Sequence, residues 1–210
     1  MKKIVGFIFL FIATGLLSQQ PKPLIGTLVY EITQLNRPTD PPLQMTLFSL
    51  DSLIRIETPS TVFGNQTFIK HLTKKKSYLL ISLTDTDHYA IKDEFKAPNP
   101  STLQPKYVWK KKCGKKFIAG LKGRKLKLTF LKSNESFDCY YCADYAAKYQ
   151  DAYPDFPGIP LEYYVETEDG MLKYTLKKFD PLIPNYDLFG IPSNYKRVTF
   201  DEFIDLLNQE

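Results

Sequence analysis

Thr27-Leu28-Val29-Tyr30-Glu31-Ile32-Thr33 sets Leu28, Tyr30 and Ile32 against Thr27, Glu31 and Thr33, with Val29 the one apolar residue on the polar side. Successive side chains of a strand point to opposite faces, so this alternation describes a strand with one face buried and the other wet. The rhythm returns in Leu53-Ile54-Arg55-Ile56-Glu57, over Thr67 to Leu72 and over Ser77 to Leu83. Pro, Gly, Asn and Asp clusters separate these runs, breaking strands and supplying turns. Thr84-Asp85-Thr86-Asp87 reads as a hairpin turn into a further run, His88 to Lys92. Its oxygen-bearing side chains lack the twelve-residue spacing and closing Glu of an EF-hand loop, so they are a turn and not a calcium site. Residues Ile25 to Lys92 therefore predict an antiparallel sheet whose apolar face something must cover.

Downstream, Ala97-Pro98-Asn99-Pro100-Ser101 is the clearest loop and reads as a crossover between two groups of strands. Lys116-Phe117-Ile118-Ala119-Gly120 ends one strand, and Arg124 to Leu131 sets Leu126, Leu128 and Phe130 against Lys125, Lys127 and Thr129. Leu161 to Thr167 and Met171 to Phe179 form a hairpin around Glu168-Asp169-Gly170, with Asp-Gly as the expected two-residue loop. Glu162, Tyr164 and Glu166 would then share an outer face with Lys173, Thr175 and Lys177, opposite charges supporting the pair. Two helices are expected. One spans Asp138 to Asp151; the other spans Thr199 to Asn208, where Thr199 and Glu202 have capping-box spacing and Phe203, Leu206 and Leu207 recur at helical intervals.

Upstream, Lys2 and Lys3 precede an apolar run from Ile4 to Leu17 and then Ser18-Gln19-Gln20. A short basic region, an apolar stretch too short to span a bilayer comfortably and a small residue describe a secretory signal peptide over residues 1–18, with a membrane anchor as the alternative. Residues 19–210 are then a single β-rich domain with no transmembrane span. Without Lys2 and Lys3, 26 basic side chains face 23 acidic ones, so the charge falls from +5 to +3. That balance does not point to a nucleic-acid partner. Lysines still cluster at Lys74-Lys75-Lys76, at Lys110 to Lys112 with Lys115 and Lys116, and around Lys122, Arg124, Lys125 and Lys127. Solvated strand edges and turns explain them more simply than a patch for anionic headgroups or an acidic partner, since edge lysines block aggregation.

The most specific chemical signal is Cys139-Tyr140-Tyr141-Cys142. In an oxidising compartment the cysteines read as a structural disulfide, either between these two or between Cys113 and one of them, which leaves one thiol over; a redox pair and unpaired buried thiols are the alternatives. A zinc site built with His71 or His88 lacks a second close-spaced pair. No Gly-x-Ser-x-Gly elbow, phosphate-cradling glycine loop or His-Glu-x-x-His helix is present. Acid pairs such as Asp85 with Asp87, Glu166 with Glu168 and Asp201 with Glu202 are typical of turns and helix starts. No catalytic residue, metal or cofactor is therefore expected, and the chain reads as non-enzymatic.

Around Phe156-Pro157-Gly158-Ile159-Pro160-Leu161, the Ile118-Ala119-Gly120 element lies about forty residues upstream and Phe189-Gly190-Ile191-Pro192 downstream. In these elements the chain resembles an uncharacterised exported bacterial family with Ile-x-Gly, Pro-Gly-x-Pro and Phe-x-Ile-Pro motifs (GLPGLI-like). Members commonly carry a cysteine soon after Ile-x-Gly, where this chain has Lys122-Gly123-Arg124. The family is similar in architecture to Lol-type lipoprotein carriers. The resemblance implies an α+β, mainly β fold, with a curved antiparallel half-barrel covered by one or two helices. It also implies a bacterial periplasmic or cell-surface location and an apolar or lipid-linked ligand or an envelope protein partner. A thiol-disulfide protein and a structural subunit of a surface assembly are the alternatives.

Overall fold

The computed structural model describes residues 20–60, 64–94 and 106–208. The leader over residues 1–18 and the loop over Ala97 to Ser101 lie outside the described residues. In chain order the strands are β1 (Ile25–Gln34), β2 (Leu43–Leu50), β3 (Leu53–Ser60), β4 (Gly64–His71), β5 (Lys76–Ser82) and β6 (His88–Glu94). They continue with β7 (Tyr107–Ile118), β8 (Leu121–Phe130), β9 (Ser136–Cys142), β10 (Ile159–Thr167), β11 (Gly170–Asp180) and β12 (Lys196–Thr199), and α1 (Phe200–Leu207) follows.

All twelve strands join one open sheet in the order β12-β6-β5-β4-β3-β2-β1-β11-β10-β9-β8-β7. β2 to β6 form one meander and β7 to β11 another, and β1 lies between them, paired with β2 on one side and β11 on the other. Laid flat, the ten spacings between β6 and β7 would span about 48 Å. The thirteen residue steps from Glu94 to Tyr107 reach at most about 47 Å fully extended. The sheet curls, which brings its two ends toward each other.

Curling creates an inner face. Cross-strand partners fix its composition: Leu28 faces Leu47 and Leu47 faces Ile56, while Tyr30 lies between Met45 and Leu176. Ile32 continues into Tyr174 and Tyr163 on the other side. Leu28, Tyr30 and Ile32 are all buried, as their alternation requires. The same face continues through Ile56, Phe68, Leu79 and Ile91, where α1 covers it with Phe203 against Tyr89, Ile81 and Val198. Burying Phe203 contributes about 2 kcal/mol. Thr199 caps this helix and both capping-box hydrogen bonds form with Glu202.

Three expectations are corrected and one strand is added. Asp138 to Asp151 is not a helix: Ser136–Cys142 is strand β9, hydrogen-bonded to β8 and β10, and only Ala147–Tyr149 makes a short 3₁₀ turn. The hairpin loop between β10 and β11 is Glu168-Asp169, not Asp169-Gly170, because Thr167 pairs with Gly170. Neither loop residue has positive φ; Gly170, at φ 125°, absorbs the reversal. The sheet is also not wholly antiparallel, since β12 runs parallel to β6. It arrives there after residues 181–195 cross the outer face, where Arg55 donates to the Leu188 carbonyl and Ile191 and Tyr195 pack on Ile69, Leu80 and Ala90. Finally β2, with Met45, Leu47 and Ser49 inward, is a strand that the quoted runs leave out.

Candidate binding cleft on the inner face

Residues 143–158 take the place of the expected second helix. Pro154 and Pro157 oppose helix formation there, and the segment instead drives Ala147, Tyr149, Tyr153 and Phe156 into the trough of the sheet. Polar latches fasten it on three sides. The Leu24 backbone N–H donates to the Tyr149 hydroxyl, which donates to Asp51, each at 3.0 Å. On the far edge, Tyr107 and the Trp109 indole donate to the two oxygens of Asp155, at 2.5 and 2.8 Å. Toward β4, the buried Lys70 pairs with Asp151. Beneath, Tyr153 donates to the Tyr164 carbonyl and its ring stacks on Phe156 at 4.4 Å.

Beside this cover, the inner face keeps a cleft of about 210 Å³. Met45, Ile56, Val165 and the stacked pair Tyr163 and Tyr174, 4.7 Å apart, form its floor, and Gln150, Asp151 and Ala152 form its wall. Gln150 is only 3% exposed, and neither atom of its side-chain amide has a hydrogen-bond partner in the protein. The Tyr30 hydroxyl beside it donates to the Pro160 carbonyl at 2.9 Å, and the amide, facing the phenol oxygen, favours the ionised phenol but less than burial opposes it. Burial raises the proton affinity of Tyr30, Tyr163 and Tyr174, so their phenols stay neutral through the physiological range. The floor is thus apolar and uncharged, while the wall carries the Gln150 amide and the Asp151 carboxylate, the latter paired with Lys70.

The residues singled out in the sequence lie elsewhere. Cys139, Cys142 and Cys113 are all free thiols. Cys139 and Cys142 both sit in β9, three residues apart, which places them on opposite faces with α-carbons about 10 Å apart, beyond disulfide reach. Burial pushes the Cys139 thiol up to about 12 and raises that of Cys142, the opposite of what a redox nucleophile needs. His71 lines the outer face, and His88 bonds Ser82 at 2.8 Å and stacks on Tyr195. Among the described residues no three His, Cys, Asp or Glu side chains cluster as metal ligands would. Asp87 is held by Thr84 and Thr86 within its turn. Glu162 carries the cross-strand charge pairing, with Lys116 at 3.0 Å and Lys173 at 3.8 Å. Lys110 to Lys112 and Lys115 lie exposed on the edge strand β7, while Lys116 on the same strand is half-buried and held by Glu162. Sequence reasoning missed the cleft because its wall comes from a segment read as helix; the signal was the pair of prolines following Tyr149.

No protein-family model and no curated protein matches the chain. Among solved structures it is similar to PNGF-II in two crystal forms, with TM-scores of 0.56 and 0.53 at 10% identity, covering 87% of this chain. The chain spans about a third of the PNGF-II chain. It is also similar to MucB, solved in complex with MucA(peri), with TM-score 0.45, 15% identity, and 83% of this chain against 57% of that one. The PNGF-II likeness shows a shared fold. No helix among the described residues is long and apolar enough to cross a membrane.

Proposed function

We propose that this chain is an exported, non-enzymatic binding protein of the bacterial envelope. In this reading its curled, carrier-like sheet takes an apolar group of a ligand or partner protein into the cleft beside residues 143–158. The observation that carries the reading is the cleft itself: a recess with an apolar, aromatic floor on a pre-formed sheet and two polar side chains, Gln150 and Asp151, in its wall. Its volume of about 210 Å³ suits one aromatic ring or branched aliphatic group, since a 150 Å³ apolar cavity already admits benzene. Whole acyl chains, as in a lipid-linked ligand, need the latched 143–158 segment to move away.

Titration with toluene, followed through methyl resonances, tests this. Shifts are expected at Met45, Ile56 and Val165, and Ala152→Phe, which fills the cleft from its wall, should abolish them while leaving the melting temperature near that of the wild type. Toluene that leaves these methyls unmoved, or moves them equally in Ala152→Phe, rejects the site.

A further inference from the structure

A second recess lies on the opposite, outer face. Residues 181–195 cross there behind β4 and β5 and leave a groove of about 380 Å³, within the roughly 300–1,000 Å³ typical of ligand sites. Positive charge converges on it from separate elements: Lys74 from the turn after β4, Lys76 from β5 and Arg197 from β12, with the His71 imidazole at the end of β4 beside them. Among the described residues, Lys74, Lys76 and Arg197 have no carboxylate within ion-pair distance. Among the described residues of the lining Asp187 is the one acid, against Lys74, Lys76 and Arg197. Tyr78 and Tyr186 add hydroxyl donors, and Phe189 and Ile191 give an apolar floor. Like charges brought together in a concave site repel each other and focus a positive potential, which a multivalent anion relieves.

The approach to this groove is unusual. Leu182 and Ile183 are 74% and 73% exposed, and Tyr186, which lines the groove, is 66% exposed. Pro181 and Pro184 flank the apolar pair, and the Leu182 backbone N–H donates to Asp180 at 3.1 Å, so the pair is held outward in a stiffened segment. Large apolar side chains fixed in solvent three and four residues ahead of the groove-lining Tyr186 match a surface that is anionic at its headgroups and apolar beneath.

We propose that the outer groove is an anion site for a phosphate-bearing group, and that Leu182 and Ile183 direct it to phosphate carried by a membrane lipid. The site is separate from the inner cleft and does not depend on it. Two probes test it: inorganic phosphate, followed by backbone amide shifts, and sedimentation with phosphatidylcholine–phosphatidylglycerol vesicles at about 7:3, against phosphatidylcholine alone. Phosphate is expected to shift Tyr78, Ile191 and Arg197, and the mixed vesicles to bind the protein in a salt-sensitive way. Arg197→Gln and Lys76→Gln should each weaken vesicle binding about fivefold. Lys110→Gln with Lys111→Gln, the same charge loss on edge strand β7, should change it far less. Leu182→Ser with Ile183→Ser should reduce vesicle binding while leaving the phosphate shifts intact. Phosphate shifts without vesicle binding keep the anion site and assign it to free phosphate, overturning the lipid source. Absence of both, or equal losses from the groove and β7 variants, overturns the site.

Discussion

Gly158 stands where a side chain has no room. A β-carbon built there would lie 2.1 Å from the Cys142 carbonyl oxygen, and that oxygen belongs to a strand that cannot retreat. Gly158→Ala should therefore cost about 3 kcal/mol or more, read as a lower denaturant midpoint. The Pro-Gly-Ile-Pro run, noted in the sequence as a motif, thus has a steric meaning: it lets the end of the 143–158 segment pass close against the end of β9 as it enters β10. Gln150 predicts the opposite sign. Its amide is buried with no partner in the protein, so Gln150→Leu should raise stability by about 1 kcal/mol. A loss of stability would show that the amide serves the fold. The cysteines give a third residue-level outcome. With Cys113 exposed and the other two thiols buried and raised, iodoacetamide at mildly alkaline pH should alkylate Cys113 alone in the native protein and all three after denaturation, as mass spectrometry would show.

At the scale of elements, the cover over residues 143–158 is the part most exposed to perturbation, because polar latches hold it and a continuous ladder does not. Asp155→Ala leaves the Tyr107 hydroxyl and the Trp109 indole without their acceptor. The expected cost is about 2 kcal/mol, together with faster limited proteolysis between residues 143 and 158 than elsewhere. Whether an element was legible in the sequence followed from where its determinants lie. Thr27 to Thr33 and the capping box of α1 were readable because alternation and caps are local, and the structure repeats them in β1 and α1. β9 was not, because its strand state is imposed by β8 and β10 on either side, and tyrosines and alanines over 140–147 carry no periodicity of their own. The parallel seat of β12 was invisible for the same reason: Lys196 to Thr199 meets β6 only after the outer-face crossover. The cleft, built from β2, β3, β10, β11 and the cover, has no contiguous signature at all.

For the whole molecule, the aromatic core sets the response to alkali. Burial raises the proton affinity of the phenols of Tyr30, Tyr107, Tyr153 and Tyr163 above their ordinary value of 10.0. The unfolded chain releases these protons near that value while the folded chain retains them. The stability they contribute is therefore fully present below pH 10 and is lost as pH rises beyond it. Denaturation midpoints should be level from pH 7 to 9 and fall steeply by pH 11, with phenolate absorbance growing in step with unfolding; native-state ionisation of these rings near pH 10 would contradict the burial described. The sheet order also bears on how the chain is made. β1 takes one neighbour, β2, within a few residues, yet its other neighbour begins at Gly170. During synthesis the first meander is completed while one edge of β1 still has open backbone donors and acceptors, and it stays so until most of the protein has emerged. Until then β1 is an unguarded template for the wrong strand, which makes the nascent chain, more than the finished sheet, the state in need of protection.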